Sequence, residues 1–389
     1  MGCADGGLRY NLYLLLVLVN PHPAKLLGGN MNSDIVNPKQ ATAILSVFLI
    51  SGTSVTMNNY LSKQNTWISL IISVAVSAVM FLLFAKILKL FKGKNLFEIS
   101  ERCFGRLGSK LISAVVVIYA FIRGIVALRS FCEMVTITSL DETPILFIAV
   151  FVMLTSAFMI KSGLYVMGKC SLFFAAVIVF ITALTTLLSI GVMQFENLML
   201  TGISAASLVA DSVSFITHPF LDALLLLCLF SHIKNNANHS KIFIWALILA
   251  ALVMVVTLLR DILILGGETF SQLYFPSYSA TGIINIYNFL QRISVLDAVK
   301  TLFSVLIEVS VCLFCVTKGL GFLIRYDSYK NLAFPVAMLM SVLCTVCFSS
   351  TMVLADFTKN LTYFALPAQI LLSLVILGMG TLKNKQKNS

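Results

Sequence analysis

Apolar residues run along the chain in blocks of about 20, the length an α-helix needs to cross a hydrocarbon core of about 30 Å. The blocks fall at 40–60, 66–88, 110–132, 143–160, 168–192, 206–231, 241–264, 298–323, 332–353 and 361–381. Backbone polar groups have no water to bond in lipid, so each block is predicted to be a helix. The fold class is therefore all-α integral membrane, with about ten transmembrane helices. Leu12 to Val19 is also apolar but too short to span, and Pro21 and Pro23 cut it off. Met31 opens a stretch leading directly into the first block, so the start is expected there and residues 1–36 read as an extension. The rival reading, an atypical signal peptide, lacks a small-residue cleavage pattern after the apolar run.

Composition agrees with this picture. The 389 residues are 59% hydrophobic and 11% charged, with a mean hydropathy of +0.97; one soluble core does not bury that much apolar surface. In a soluble protein a net charge of +11 would point to nucleic acid, but here the cations lie in short connectors, so no nucleic-acid partner is expected. Lys86, Lys89, Lys92, Lys94, Arg102, Arg106 and Lys110 follow the second block; Lys161 with Lys169, Lys234 with Lys241, and Lys318, Arg325 and Lys330 occupy alternate connectors after it. Acids (Asp141, Glu142, Glu196, Asp211, Glu268, Asp356) occupy the others. Lys and Arg mark the cytoplasmic side, so both termini are expected there, in an inner membrane, with 383–389 as a basic tail. Of the nine cysteines, six lie inside apolar blocks without histidine partners, which reads as packing rather than a metal site. No cofactor is expected, and no nucleotide loop or nucleophile triad supports an enzyme.

Helix-breaking residues at membrane depth mark sites, because protein or water must satisfy the freed backbone. Ser51, Gly52, Thr53 and Ser54 interrupt the first block, with Asn58 and Asn59 following; Thr217, His218 and Pro219 interrupt the sixth. Breaks five blocks apart are what an inverted five-plus-five repeat produces, so 37–382 is read as one transporter-like domain. Taken singly, Gly52 reads equally as a packing glycine and Pro219 as a kink.

Buried ionisable groups sharpen the reading, since each costs roughly 2.5–3.5 kcal/mol to insert. His218 and Asp222 share a helix face, as do Tyr119 and Arg123. Asp297, Lys300, Ser304 and Glu308 recur at three- and four-residue spacing as one stripe, in which Lys300 can pair with either acid. These read as a proton or ion relay, or a polar cavity. Arg129 with Glu133, and Arg260 with Asp261, read as pairs that hold or snorkel.

The segment FPSYSATGIINIYNFLQRISVLDAVKTLFSVLIEVSVCLF from Phe275, with KGLGFL at Lys318 to Leu323, resembles endospore germination proteins of the GerAB/GerKB type. These are the membrane B subunits of nutrient germinant receptors, in the amino acid, polyamine and organocation transporter superfamily. NTWIS at Asn65 to Ser69, Thr143 with Pro144, Asn197 with Leu198, and PFLD at Pro219 to Asp222 support the match, which runs from about Asn37 to Leu382. The resemblance implies ten spans with a LeuT-like inverted repeat, broken helices one and six, and a spore inner-membrane location. It also implies a germinant pocket among helices one, three, six and eight, and assembly with an A subunit and a lipoprotein C subunit. The chain departs from the family where a glycine-bearing stretch usually ends in Leu-Pro, and Asp222 stands where Glu is usual.

On this basis the expected function is binding of a small nutrient, an amino acid, at mid-membrane to trigger germination. Gly52, Thr53 and Ser54 would offer amides to its carboxylate, and the carbonyls of Phe215, Ile216 and Thr217 would accept its ammonium. Tyr119, Arg123 and Phe220 would complete the pocket. The alternatives are a proton-coupled amino acid permease and a water or ion conduit within the receptor.

Overall fold

The computed structural model describes residues 34–388 except 56–59, 139–141, 200, 201, 203, 234–237, 284–292 and 327, and no side chains at 54, 55 and 383–388. The start expected at Met31, Asn58, Asn59 and the side chain of Ser54 lie outside these. We label the spanning segments α1 (Pro38–Val55), α2 (Thr66–Leu90), α3 (Leu96–Thr138), α4 (Ile145–Ser162), α5 (Leu164–Ser189), α6 (beginning at Ala205–Phe215), α7 (His239–Leu265), α8 (Ser294–Ile324), α9 (Ala333–Val346) and α10 (Thr351–Asn388). Among the described residues, nine helical segments are long and apolar enough to cross a bilayer. The segment outside that count is α1, whose 18 residues include Lys39, Gln40, Ser46, Ser51, Gly52 and Thr53. It tolerates them because it is enclosed by other helices rather than lipid: Ile44, Leu45, Val47 and Leu49 are all 0% exposed.

Also enclosed are the sixth helix and α8, in the latter of which every residue from Ser304 to Thr317 is buried. Helix α8 packs most extensively on α3, where Gly124 lets Cys312 and Met340 of α9 approach. Outward faces of the peripheral helices carry Phe147, Phe151, Phe180 and Leu187, the apolar surface a bilayer covers. At one end of the molecule Val36 donates to the His232 carbonyl at 2.9 Å. His232 is half-buried there, with its ring 6.1 Å from Phe314. Burial, with Lys318 nearby, pushes its imidazole below the ordinary histidine range.

Gly105 (φ 70°, ψ −174°) divides α3 into a short helix over 96–104 and the span proper. Only glycine adopts that backbone conformation without strain.

The interruption placed at Ser51 to Ser54 is corrected by the structure: α1 continues as an α-helix through these residues to Val55. The backbone N–H groups of Thr53 and Ser54 belong to that helix and are not free at a restarted N-terminus. Gly52 serves close packing instead, since a Cβ there would sit 2.3 Å from the Pro219 Cβ. Gly52→Ala is therefore expected to lower stability by about 1–3 kcal/mol. Thermal unfolding of the purified protein in detergent checks this, and an unchanged midpoint would refute the contact.

The sixth helix is interrupted where the sequence places it. After α6 reaches Phe215, residues Ile216–Phe220 form a wide π turn in which His218 leaves helical geometry (φ −126°, ψ 113°) and the His218–Pro219 bond is cis. Leu221–Cys228 then continues as a tight 3-10 helix. Pro219 lacks an N–H and its ring excludes a regular turn, so the backbone widens around it.

Candidate functional site

The widened turn of α6 brings His218 and Asp222 against α3, α8 and α10. Asp222, 1% exposed, accepts hydrogen bonds at both carboxylate oxygens. Arg123 Nε donates to Oδ2 at 2.8 Å, and His218 Nδ1 lies 2.8 Å from the same atom. At Oδ1 it accepts from the Tyr119 hydroxyl, and from Gln369 Nε2 at 2.8 Å. The Arg123 guanidinium also reaches Glu308 Oε1 at 2.7 Å, and the Ser51 hydroxyl donates to Glu308 Oε2 at 2.6 Å. One planar fork thus bridges two carboxylates from different helices, a geometry a lysine does not supply. The cluster joins all five of α1, α3, α6, α8 and α10.

Its formal charge is unbalanced. Two carboxylates share one guanidinium, so counted with both acids ionised and a neutral histidine the cluster carries one negative charge in excess, inside a protein where unpaired charge is costly. His218 Nε2 and Gln369 Oε1 are buried without a hydrogen-bond partner. A proton or an ammonium group is the chemistry such a cluster takes up.

A second cluster lies two turns toward the start of α8, about 12 Å along its axis from Glu308. Lys300 Nζ is 2.5 Å from Asp297, and Arg260 Nη2 is 4.0 Å from the same carboxylate. Arg260 donates to Asp261 from Nε at 2.9 Å and from Nη2 at 2.7 Å, and to the Thr185 hydroxyl at 2.7 Å. Ser277 donates to the other Asp261 oxygen. Here two cations face two acids, so the charge balances. Arg260 and Asp261 do not snorkel to the surface: they are 1% and 2% exposed and built into this network.

The structure thus separates residues the sequence grouped. The stripe Asp297, Lys300, Ser304, Glu308 divides in two: Lys300 pairs with Asp297, whereas Glu308 belongs to Arg123. Between them Ser304 hydrogen-bonds carbonyls of its own helix, those of Lys300 at 3.1 Å and Thr301 at 2.9 Å. Thr53, Phe215 and Lys300 line a small cavity of about 50 Å³ beside the balanced cluster, with Tyr60 and Asp261. Phe215 stacks on Tyr60 at 5.2 Å. The Ile216 carbonyl, expected to receive an ammonium, already accepts the Leu221 N–H; the wide turn folds it inward. Thr217 and Phe220 are fully buried, the former donating to the Val213 carbonyl at 2.8 Å. Arg129 and Glu133 form the expected i, i+4 pair at 2.5 Å.

Sequence reasoning missed Gln369. Its signal was an amide two residues after Pro367 within the apolar run LTYFALPAQILLSL. It also assigned Asp211 to a solvated connector. Asp211 is buried and accepts backbone N–H groups of Leu61 and Ser62 at 3.1 and 2.8 Å, which ties the connector after α1 to α6.

Comparison with known proteins identifies the setting of these clusters. Residues 35–357 match the family described as Spore germination protein. The chain belongs to the spore germination protein family. Within it, the chain is similar to Spore germination protein KB of Bacillus subtilis (strain 168), at 21% identity over 92% of this chain and 97% of that one. Putative spore germination protein YfkT of the same organism is 24% identical over 81% of this chain and 87% of its own length. Among solved structures, this germination protein superposes on MHP1, a nucleobase-cation-symport-1 family transporter captured closed with bromovinylhydantoin. The TM-score is 0.60 at 14% identity, covering 88% of this chain and 78% of that one. A manganese transporter of Eremococcus coleocola, in complex with an aromatic bis-isothiourea substituted compound, gives a TM-score of 0.59, also at 14% identity, over 87% and 78% of the two chains. These neighbours carry the LeuT-like fold, which is accordingly the fold of this multi-pass membrane protein.

Proposed function

We propose that this germination protein is the membrane subunit of a nutrient germinant receptor, which binds a small amine-bearing nutrient, an amino acid, and converts its binding into helix movement. The observation that carries the reading is the charge-unbalanced cluster of Arg123, Asp222, Glu308 and His218 at the interrupted sixth helix. An ammonium at Asp222 supplies the missing positive charge, and in doing so competes with Tyr119, Gln369 and His218 for that carboxylate. Releasing Tyr119 loosens α3 from α6 and releasing Gln369 loosens α10 from it, so occupancy is linked to helix arrangement. The cavity lined by Thr53, Phe215 and Lys300 lies beside the balanced cluster instead, with room for a small polar group. Family membership supports the germination role, and the transporter fold supports a small-molecule ligand. In this reading the protein resides in the spore inner membrane, its Lys- and Arg-rich connectors and both termini face the cytoplasm, and A and C subunits receive the signal.

A proton-coupled permease is the second reading, favoured by the same excess charge, because a proton on the cluster would balance it between substrate loads. Two measurements separate them: nutrient-triggered germination of spores lacking the gene, and uptake of labelled amino acids by vesicles containing this protein alone. The receptor reading expects lost germination and no uptake. Intact germination with robust uptake would make it a permease.

A further inference from the structure

Where the basic connectors emerge, a cavity of about 310 Å³ opens between the short helix at the start of α3 and the end of α8. It plays no part in either charge cluster. The KGLGFL segment builds its α8 wall. A Cβ at Gly319 would meet Val117 at 2.2 Å and Phe97 at 2.7 Å, so the glycine lets α8 close on α3. Gly321 admits the Tyr326 carbonyl, which a Cβ would approach to 2.8 Å, while Arg325 ends the helix in a left-handed conformation (φ 58°). The chain therefore folds back over the cavity and sets Tyr329 in its wall.

Four cations line the space: Arg106, Lys110, Lys318 and Arg325. Two carboxylates oppose them, and Glu98 is committed to a reciprocal cap with Asn95, accepting from Nδ2 at 2.9 Å while its own N–H donates to Asn95 Oδ1 at 2.9 Å. Among the described residues, Arg106, Lys110, Lys318 and Arg325 enter no ion pair; Lys318 Nζ sits 4.5 Å over the Tyr329 ring. The Tyr329 hydroxyl is buried without a hydrogen-bond partner in a residue only 8% exposed. An enclosed donor and a surplus of cations around an open cavity select an anion. Its source is indicated by the neighbouring side chains. Leu107 is 87% and Leu111 72% exposed, alternating along the helix with Arg106 and Lys110, so the cavity mouth lies where apolar surface meets charge. That is the depth of a lipid headgroup.

We propose that this cavity binds the phosphate of an anionic phospholipid headgroup. Lys318 and Tyr329 contact it from inside, and Arg106, Lys110 and Arg325 from the rim. The site does not depend on the identity of the germinant.

The test is thermal unfolding of the full chain in neutral detergent, titrated with dihexanoyl phosphatidylglycerol, dihexanoyl phosphatidylcholine or inorganic phosphate. Phosphatidylglycerol is expected to raise the midpoint saturably and phosphatidylcholine is not. Each cation removed, in Lys318→Gln and in Arg106→Gln with Lys110→Gln, should weaken the half-saturating concentration about fivefold. Tyr329→Phe should weaken it as well, and Lys92→Gln, an equal charge change outside the cavity, should leave it unchanged. If Lys318→Gln does not fold, the rim variant carries the test. Equal stabilisation by both lipids, or equal effects of Lys318→Gln and Lys92→Gln, would overturn the site. Stabilisation by inorganic phosphate with the same variant sensitivity, and none by phosphatidylglycerol, would overturn the lipid assignment.

Discussion

Replacing Arg123 by leucine is expected to remove most folded protein from the membrane, whereas replacing Glu308 by glutamine leaves it folded. Arg123 is the one guanidinium between Asp222 and Glu308, and both carboxylates are 1% exposed. Without it two buried negative charges face each other, and breaking a buried pair in this way costs about 3–5 kcal/mol. Glu308→Gln acts in the opposite sense. It removes the excess charge, keeps an acceptor for Arg123 and a partner for the Ser51 hydroxyl, and is expected to stay within about 1 kcal/mol of the parent. Combining the two changes should recover part of the loss. Membrane abundance and the unfolding midpoint in detergent read all three variants. An Arg123→Leu protein as stable as the parent would show that the cluster is not held by charge.

Asp222→Asn is expected to raise the nutrient concentration for half-maximal germination at least tenfold, a difference of about 1.4 kcal/mol. The carboxylate accepts at both oxygens, from Tyr119 and Gln369 on one side and Arg123 and His218 on the other. An amide offers one acceptor and one donor group, so it turns its NH₂ toward one of these pairs and can no longer counter an ammonium. Asp222→Glu keeps the charge with a longer arm and is expected to retain the response. A dose response unchanged in Asp222→Asn would remove this carboxylate from the nutrient site and leave it a packing role.

The two interruptions show how far linear sequence carries. Pro219 acts through covalent geometry, since a missing N–H and a bulky ring force the backbone open whatever packs around it, and the break appears where the residue stands. Ser51 to Ser54 act only through weak propensity, which the helices around α1 override; there the polar run stays helical and Gly52 serves contact with Pro219. Pairing divides the same way. Arg129 and Glu133 meet because i, i+4 geometry is local. Arg123 to Glu308, 185 positions apart in number, and Gln369 to Asp222 depend on how helices are placed side by side.

By itself the sequence determined that this is a helical membrane protein, that basic connectors alternate with acidic ones, where the sixth helix opens, and which ionisable groups lie at depth. Those properties follow from the apolar length needed to cross lipid and from proline's covalent geometry, and both are written in consecutive residues. Tertiary structure alone decided that Asp297 and Lys300 join Arg260 and Asp261 in a balanced cluster, while Glu308, on the same helical stripe, joins Arg123, Asp222 and His218 in one with excess negative charge. A stripe fixes only which face a residue occupies; its partner, and hence its charge state and chemistry, is set by the helix packed against that face.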